Sequence, residues 1–174
     1  QDRLFIMGGS IAERRDGKYY NTAFAIDQNG QLVGKYRKTH LFPLGLKEGE
    51  YFTVGDDWGL IDTPWEKAGM ILCYDIRFPE LMRNLALRGA RIITIGAEFP
   101  AARVDHWRLF CQARAIENQV FVLAANCCGN DGKYDYPGNS MIISPTGKIL
   151  QEAGPEEGVY FADLNLEDLQ KARK

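Results

Sequence analysis

The stretch Ala68-Gly-Met-Ile-Leu-Cys-Tyr-Asp-Ile-Arg-Phe-Pro-Glu80 decides the fold. Gly69 to Leu72 is a short apolar run of the right length for a buried strand. It ends abruptly at Cys73. After a polar turn, Pro79 opens a helical pattern, Glu80-Leu-Met-Arg-Asn-Leu-Ala-Leu-Arg88, which stops at Gly89. Proline just inside a helix start and glycine just past its end are the expected punctuation. Cys73 therefore sits where a strand hands over to a helix. Such a turn lifts a side chain off the sheet and points backbone N–H groups at whatever it attacks.

Working outward, Arg91 to Gly96 reads as a β-branched strand, and Asp105 caps a helix running to about Asn118. Trp107, Phe110, Cys111, Arg114 and Ala115 fall on one face of it, which the spacing assigns to the core. Gln119 to Asn126 is another apolar strand. Strand–helix–strand–helix–strand over 69–126 argues an α/β fold with helices packed on a sheet. Upstream, Leu4 to Ser10 reads as a buried strand, and Ala12 to Gly17 as a polar hairpin loop. Tyr19 to Asp27 and Gln31 to Tyr36 flank the turn Gln28-Asn29-Gly30. Lys35 to Leu41 leads into a loop over Phe42 to Asp57, and Asp62 to Trp65 leads into the Cys73 strand. Downstream, a loop over Gly129 to Gly138 precedes a hairpin, Ser140 to Ser144 and Lys148 to Glu152. Leu166 to Lys174 reads as a helix. The two hairpins echo each other, which points to two similar half-sheets facing each other in one domain, 1–174.

The 174 residues carry a net charge of −2, with 45% hydrophobic and 25% charged residues. That composition belongs to a globular chain with a real core. Basic residues are scattered, so nucleic acid is not an expected partner. No apolar run approaches membrane-spanning length. Cys73, Cys111, Cys127 and Cys128 lack the spacing of a secreted disulfide framework, so reduced thiols in the cytoplasm are expected. There is no CxxC, HExxH or paired-histidine spacing, so no metal site is expected.

A single cysteine after a strand is as readily a buried structural thiol as a nucleophile. Tyr74, Asp75 and Arg77 are too polar for a simple continuation of the core. An ordinary thiol is only about 3% ionised at pH 7, so a nucleophile here needs a base or a nearby cation. Three kinds of partner are available. His40 would make a cysteine–histidine pair. Lys38 would stabilise an oxyanion, although Arg37-Lys38 in a polar segment is ordinarily a solvated face. A carboxylate base would come from Glu48, Glu50 or Asp75.

Gly34-Lys-Tyr-Arg-Lys-Thr-His-Leu-Phe42 resembles the lysine motif of the nitrilase superfamily, the carbon–nitrogen hydrolases, and Leu72-Cys-Tyr-Asp-Ile-Arg-Phe-Pro-Glu80 resembles its cysteine motif. His106-Trp107, Ala113-Arg-Ala-Ile-Glu-Asn-Gln119, Asn126 and Gly138-Asn-Ser-Met-Ile-Ile-Ser-Pro-Thr-Gly147 are similar to its downstream signatures, in the same order. Gly96-Ala-Glu-Phe-Pro100 with His106-Trp107 resembles the small-amide, ω-amidase-like branch. The resemblance implies a four-layer αββα sandwich, incomplete at the N-terminus, that pairs into dimers. It implies hydrolysis of a small-molecule amide without metal or cofactor, through a cysteine thioester and release of ammonia. By motif, Cys73 is the nucleophile, Lys38 and the Tyr74 backbone N–H hold the oxyanion, and Glu48 holds Lys38 and the substrate nitrogen. His40 then becomes structural, and Arg114 and Glu117 a scaffold ion pair. Arg77, Glu98, Phe99 and Arg103 are candidates for lining the substrate pocket.

The family's general-base glutamate has no counterpart by motif. Glu13 is the only glutamate ahead of Lys38, and its surroundings do not match. The resemblance places that base upstream of Gln1 and a closing segment after the Leu166 helix. Two expectations follow: these residues alone are inactive and poorly folded, and the native chain begins earlier. Nitrile or N-carbamoyl amide hydrolysis is an alternative within the superfamily. A binding or assembly protein that keeps the nucleophile but not the base is an alternative outside enzymes.

Overall fold

The computed structural model describes residues 4–44 and 47–173. Three strands, β1 (Ile6–Arg15), β2 (Lys18–Ile26) and β3 (Leu32–Arg37), form an antiparallel meander. One helical turn, α1 (Glu48–Tyr51), follows. Then come β4 (Leu60–Asp62), β5 (Lys67–Leu72), a 3₁₀ turn at Cys73–Arg77, α2 (Pro79–Leu87), β6 (Ile92–Ala97), α3 (Val104–Asn118) and β7 (Phe121–Asn126). The short hairpin β8 (Cys128–Asn130) and β9 (Asp135–Pro137) stands apart, followed by β10 (Met141–Ile143), β11 (Ile149–Glu152) and α4 (Glu167–Ala172). The large sheet has the order β11-β10-β7-β6-β5-β4, with β5, β6 and β7 parallel.

Glycines set how closely the layers approach. A side chain at Gly69 would meet Leu85 of α2, whereas one at Gly96, on the neighbouring strand beside Leu72, would meet the Cα of Gly9 in β1. The large sheet thus has α2 and α3 on one face and the small sheet on the other, the latter mainly over β4–β6. These are three of the four layers of the expected sandwich. Met70, Leu72, Ile93, Ile95, Leu85, Trp107 and Val122 are fully buried between them. The outer face of the small sheet is open at Ile11 and Val33.

Several sequence expectations need correction. Leu4 to Ser10 is not a buried strand: β1 starts at Ile6 and runs to Arg15, with Ile6 and Ile11 exposed, because only one face of the meander is covered. Ala12 to Gly17 is mostly strand, not loop. The turn is Asp16-Gly17 alone, both at positive φ (50° and 75°), as a two-residue hairpin requires. Leu60–Asp62 forms an edge strand, and the Gly129–Gly138 loop holds most of the β8–β9 hairpin. Asp105 does not cap α3; Arg103 occupies that position, and Asp105 lies in the first turn, where its charge suits the helix dipole. Gln119 is the left-handed end of α3 (φ 52°), not strand. The echoing hairpins do lie in two sheets that pack on each other, as expected, but the sheets differ in size, with three and six strands. Of the Phe42–Asp57 loop, Gly45 and Leu46 lie outside the described residues, as does Lys174 at the end of the last helix.

Glu13 links the three strands of the meander. Its carboxylate accepts from Arg37 (2.8 and 2.9 Å), from Lys35 (2.5 Å) and from the Thr22 hydroxyl (2.9 Å). Arg37 above all, with Lys35 and Thr22, holds this carboxyl far below the ordinary range against the opposing effect of burial. A depressed folded pKa gives stability that is present above the unfolded value, about 4.3, and is lost as pH falls. Glu13→Gln should destabilise the protein by about 1.5–3 kcal/mol at pH 7. The deficit should shrink as urea melts are repeated toward pH 3; an unchanged deficit would mean that the charge is unimportant.

Candidate active site

The ends of β5, β6 and β7 point the same way, and Cys73, Glu98 and Cys127 lie just past them. Clefts in parallel sheets form at this edge. Gly9 and Ser10 of the small sheet face Gly96, Ala97 and Ala125 of the large one there, and these small residues leave room for a cavity of about 890 Å³. Cys73, Lys38, Glu48, Tyr74, Arg77, Glu98, Phe99 and Arg103 all line it. The structure therefore gathers into one cavity the residues that the motifs nominated, while His40, Glu50 and Asp75 do not line it.

Cys73 opens the 3₁₀ turn with φ +44°, in the left-handed region that a non-glycine residue occupies only when its surroundings over-determine it. The Arg114 guanidinium donates to the Ile76 carbonyl (2.9 Å), bracing the turn from α3, and is itself paired with Glu117 (2.9 Å). Burial pushes the Cys73 thiol above its ordinary value, while Lys38 and a hydrogen bond with the Glu98 backbone pull it down. The net upward shift keeps the resting group a thiol, so attack requires removal of its proton.

Lys38 is only 4% exposed. It follows β3, held by its own N–H to Asn21 O (2.8 Å) and by Gly55 N–H to Lys38 O (2.9 Å). Its ammonium donates to Glu48 Oε2 (2.7 Å). The Phe42 N–H donates to the same oxygen (2.7 Å), and Asn21 Nδ2 to Oε1 (2.7 Å). Burial raises the pKa of Glu48, but Lys38, the Phe42 N–H and Asn21 together bring it below the ordinary range. A carboxylate saturated by three donors positions a lysine well and accepts a proton poorly. Asn21→Ala should leave Glu48 one donor short. The expected result is a loss of about tenfold in kcat with KM little changed, measured by ammonia release.

The other proposed bases behave differently. Glu50 is exposed and pairs with Lys47 (3.0 Å). Glu13 sits in β1, committed to Arg37 and Lys35. Asp75 is fully buried and is absent from the cavity lining. His40 also stays out of the cavity, stacked on Phe78 at 3.7 Å between ring centroids with its Nδ1 donating to Asp75. Arg77 lies 5.2–5.9 Å from the rings of Tyr74, Phe99 and Phe110, and Arg103 5.9 Å from that of Phe42.

Sequence reasoning missed Asn21, and named Asn126 by motif without giving it a role. Asn126 exchanges hydrogen bonds with the Phe99 backbone and donates to Gly138 O, tying the wall at Glu98-Phe99 to the strand beyond. Alternation along β2 could have found Asn21, since it shares the inward face of Ala23 and Ala25. Nothing local marks Asn126 as a brace.

A buried lysine–glutamate pair and a cysteine on a strained strand-to-helix turn line one cavity. Residues 2–174 match the family described as Carbon-nitrogen hydrolase, and the chain belongs to it. Among its relatives, the 2-oxoglutaramate amidase of Bacillus subtilis (strain 168) is 41% identical over 171 residues, covering 98% of this chain and 66% of that protein. The Omega-amidase NIT2 of Homo sapiens is 35% identical over 179 residues, 98% of this chain and 65% of that protein. The crystal structure of Saccharomyces cerevisiae Nit3, a member of branch 10 of the nitrilase superfamily, superposes with a TM-score of 0.92 at 34% identity, over 98% of this chain and 63% of that one. The chain thus spans somewhat less than two thirds of the length of these relatives. No helix among the described residues is long and apolar enough to cross a membrane.

Proposed function

We propose that these residues form the nucleophile and oxyanion portion of an amidase acting on a short ω-amide whose far end is a carboxylate. The observation that carries this is the juxtaposition of Cys73, at its strained turn, with the buried Lys38–Glu48 pair across one cavity. In this mechanism a carboxylate base takes the Cys73 proton and the thiolate attacks the amide carbon. The oxyanion develops between Lys38 Nζ and the Tyr74 N–H. The nitrogen receives the proton and leaves as ammonia. Water, activated by the same base, then hydrolyses the thioester and frees Cys73. Because Glu48 is occupied as an acceptor, the base is assigned to a carboxylate other than Glu48. Arg77 and Arg103 supply positive charge for a substrate carboxylate, in keeping with the 2-oxoglutaramate and ω-amide substrates that the relatives' names carry. We further propose a cytoplasmic homodimer.

Ammonia release from a panel of substrates tests the proposal: ω-amides with and without a distal carboxylate, nitriles of the same length, and N-carbamoyl amino acids. The expected result is turnover of carboxylate-bearing ω-amides, with KM raised at least about tenfold when the carboxylate is replaced by a methyl ester. Preferential turnover of nitriles or carbamoyl compounds would reassign the activity within the superfamily. Binding without turnover by the complete protein would favour a non-catalytic role.

A further inference from the structure

We infer that Asp75 is a positioning residue: its buried carboxylate clasps the Lys38 segment to the Cys73 turn and so fixes the spacing between ammonium and thiol. Oδ1 takes its donors from the Lys38 segment, and Oδ2 takes one from each segment. Oδ1 accepts from the His40 N–H (3.0 Å), from His40 Nδ1 (2.8 Å) and, at 3.4 Å, from the Thr39 hydroxyl. Oδ2 accepts from the Tyr36 hydroxyl (2.8 Å) and from the Leu72 N–H (3.0 Å). Tyr36, Thr39 and His40 bracket Lys38 on both sides in sequence, and Leu72 immediately precedes Cys73. One carboxylate therefore holds the residues flanking both reactive groups, which come from different sheets. From the third position of the 3₁₀ turn it also reaches back to the strand's last N–H, that of Leu72, next to the left-handed Cys73. A fully buried carboxylate with this many donors would be a costly core residue if it only filled space. His40 is then part of the clasp, which accounts for its place in the motif without a role at the substrate.

This inference rests on the amidase reading only in taking Lys38 and Cys73 as the reactive pair, and its test can be separated from that reading. The rate of Cys73 alkylation by iodoacetamide, followed by mass spectrometry against pH, reports the thiol's apparent pKa. The charged groups acting on that thiol are Lys38, Glu48 and Glu98. Removing Lys38 as Lys38→Met should raise the apparent pKa. Asp75→Asn should raise it in the same direction, and should add nothing in the Lys38→Met background, because it acts by letting Lys38 drift. In the active enzyme, Asp75→Asn should cut kcat about 100-fold with KM within a few-fold. Tyr36→Phe, which deletes a single donor, should give a smaller shift of the same sign; it carries the test if Asp75→Asn does not fold. Lower melting temperature with an unmoved alkylation profile and kcat in the folded protein would overturn the inference, as would a full Asp75→Asn shift that persists in Lys38→Met. Should the wild-type protein hydrolyse no amide, the amidase reading fails while the alkylation cycle still decides the clasp.

Discussion

Cys73→Ala should abolish amide turnover, by on the order of 10⁶-fold, the loss that deleting a nucleophile produces in a serine hydrolase. No other cysteine can take its place. Cys111 is fully buried within α3, and burial first of all raises its thiol far above its ordinary value. Cys127 lines the same cavity and is exposed, but its thiol is also raised, by burial and then by Glu98 and Cys128, and Lys38 is not among the groups acting on it. Adjacent strands lie about 4.8 Å apart. Cys73 and Cys127 follow strands separated by β6, so they are too distant to be bridged as a disulfide or to exchange roles. Cys127→Ala should therefore retain activity within a few-fold, and a slow substrate should leave its acyl mass on Cys73 alone. A Cys73→Ala protein that still turns over, or an adduct confined to Cys127, would overturn the assignment.

Lys38→Ala should lower kcat by at least about 100-fold, whereas His40→Gln should act chiefly through stability and the clasp. Lys38, paired with Glu48, lines the cavity, whereas the His40 ring lies outside it against Phe78. Breaking a buried ion pair from one side also leaves an uncompensated charge, worth about 3–5 kcal/mol. Lys38→Ala must therefore be compared with Lys38→Met/Glu48→Gln, in which no charge is stranded. The double variant should recover much of the lost stability and none of the activity. If it recovers activity, or if His40→Gln loses chemistry in a fully folded protein while Lys38→Ala keeps it, the lysine is not the oxyanion's partner. Glu48 gives this pair a pH limit. Its folded pKa is depressed, so the pair's contribution is complete above about pH 4.3 and fades only as pH falls below that value.

The parts of the fold legible in the sequence are those carried by local chemistry. Pro79 and Gly89 bound α2, Asn29-Gly30 turns the first hairpin with Gly30 at φ 78°, and the β5–α2–β6–α3–β7 alternation follows from apolar runs of strand and helix length. Strands of three residues, such as β4 and β8, carry no period to detect. Glu13 and Arg14 have the character of loop residues, yet they belong to β1 because Lys35 and Arg37 of β3 neutralise the glutamate. At the site, motif order nominated Cys73, Lys38 and Glu48. The groups that hold them were not legible: Asn21 reaches Glu48 across 27 residues and Tyr36 reaches Asp75 across 39, and such pairings exist only once the chain has folded back on itself.

The seam between the two sheets makes catalysis report on docking rather than on folding as a whole. Lys38 and Asn21 travel with the meander, while Cys73, Glu98 and Asn126 travel with the parallel strands. A denaturant concentration that loosens the meander would part these two sets while α2 and α3 stay packed on β5–β7. Turnover should then vanish before the far-ultraviolet helical signal does. Amide hydrogens of β1 to β3 should exchange earlier than those of β5 to β7 over the same range. Loss of activity at the same urea concentration as loss of helix would instead mean that the two sheets come apart and unfold as a single cooperative unit.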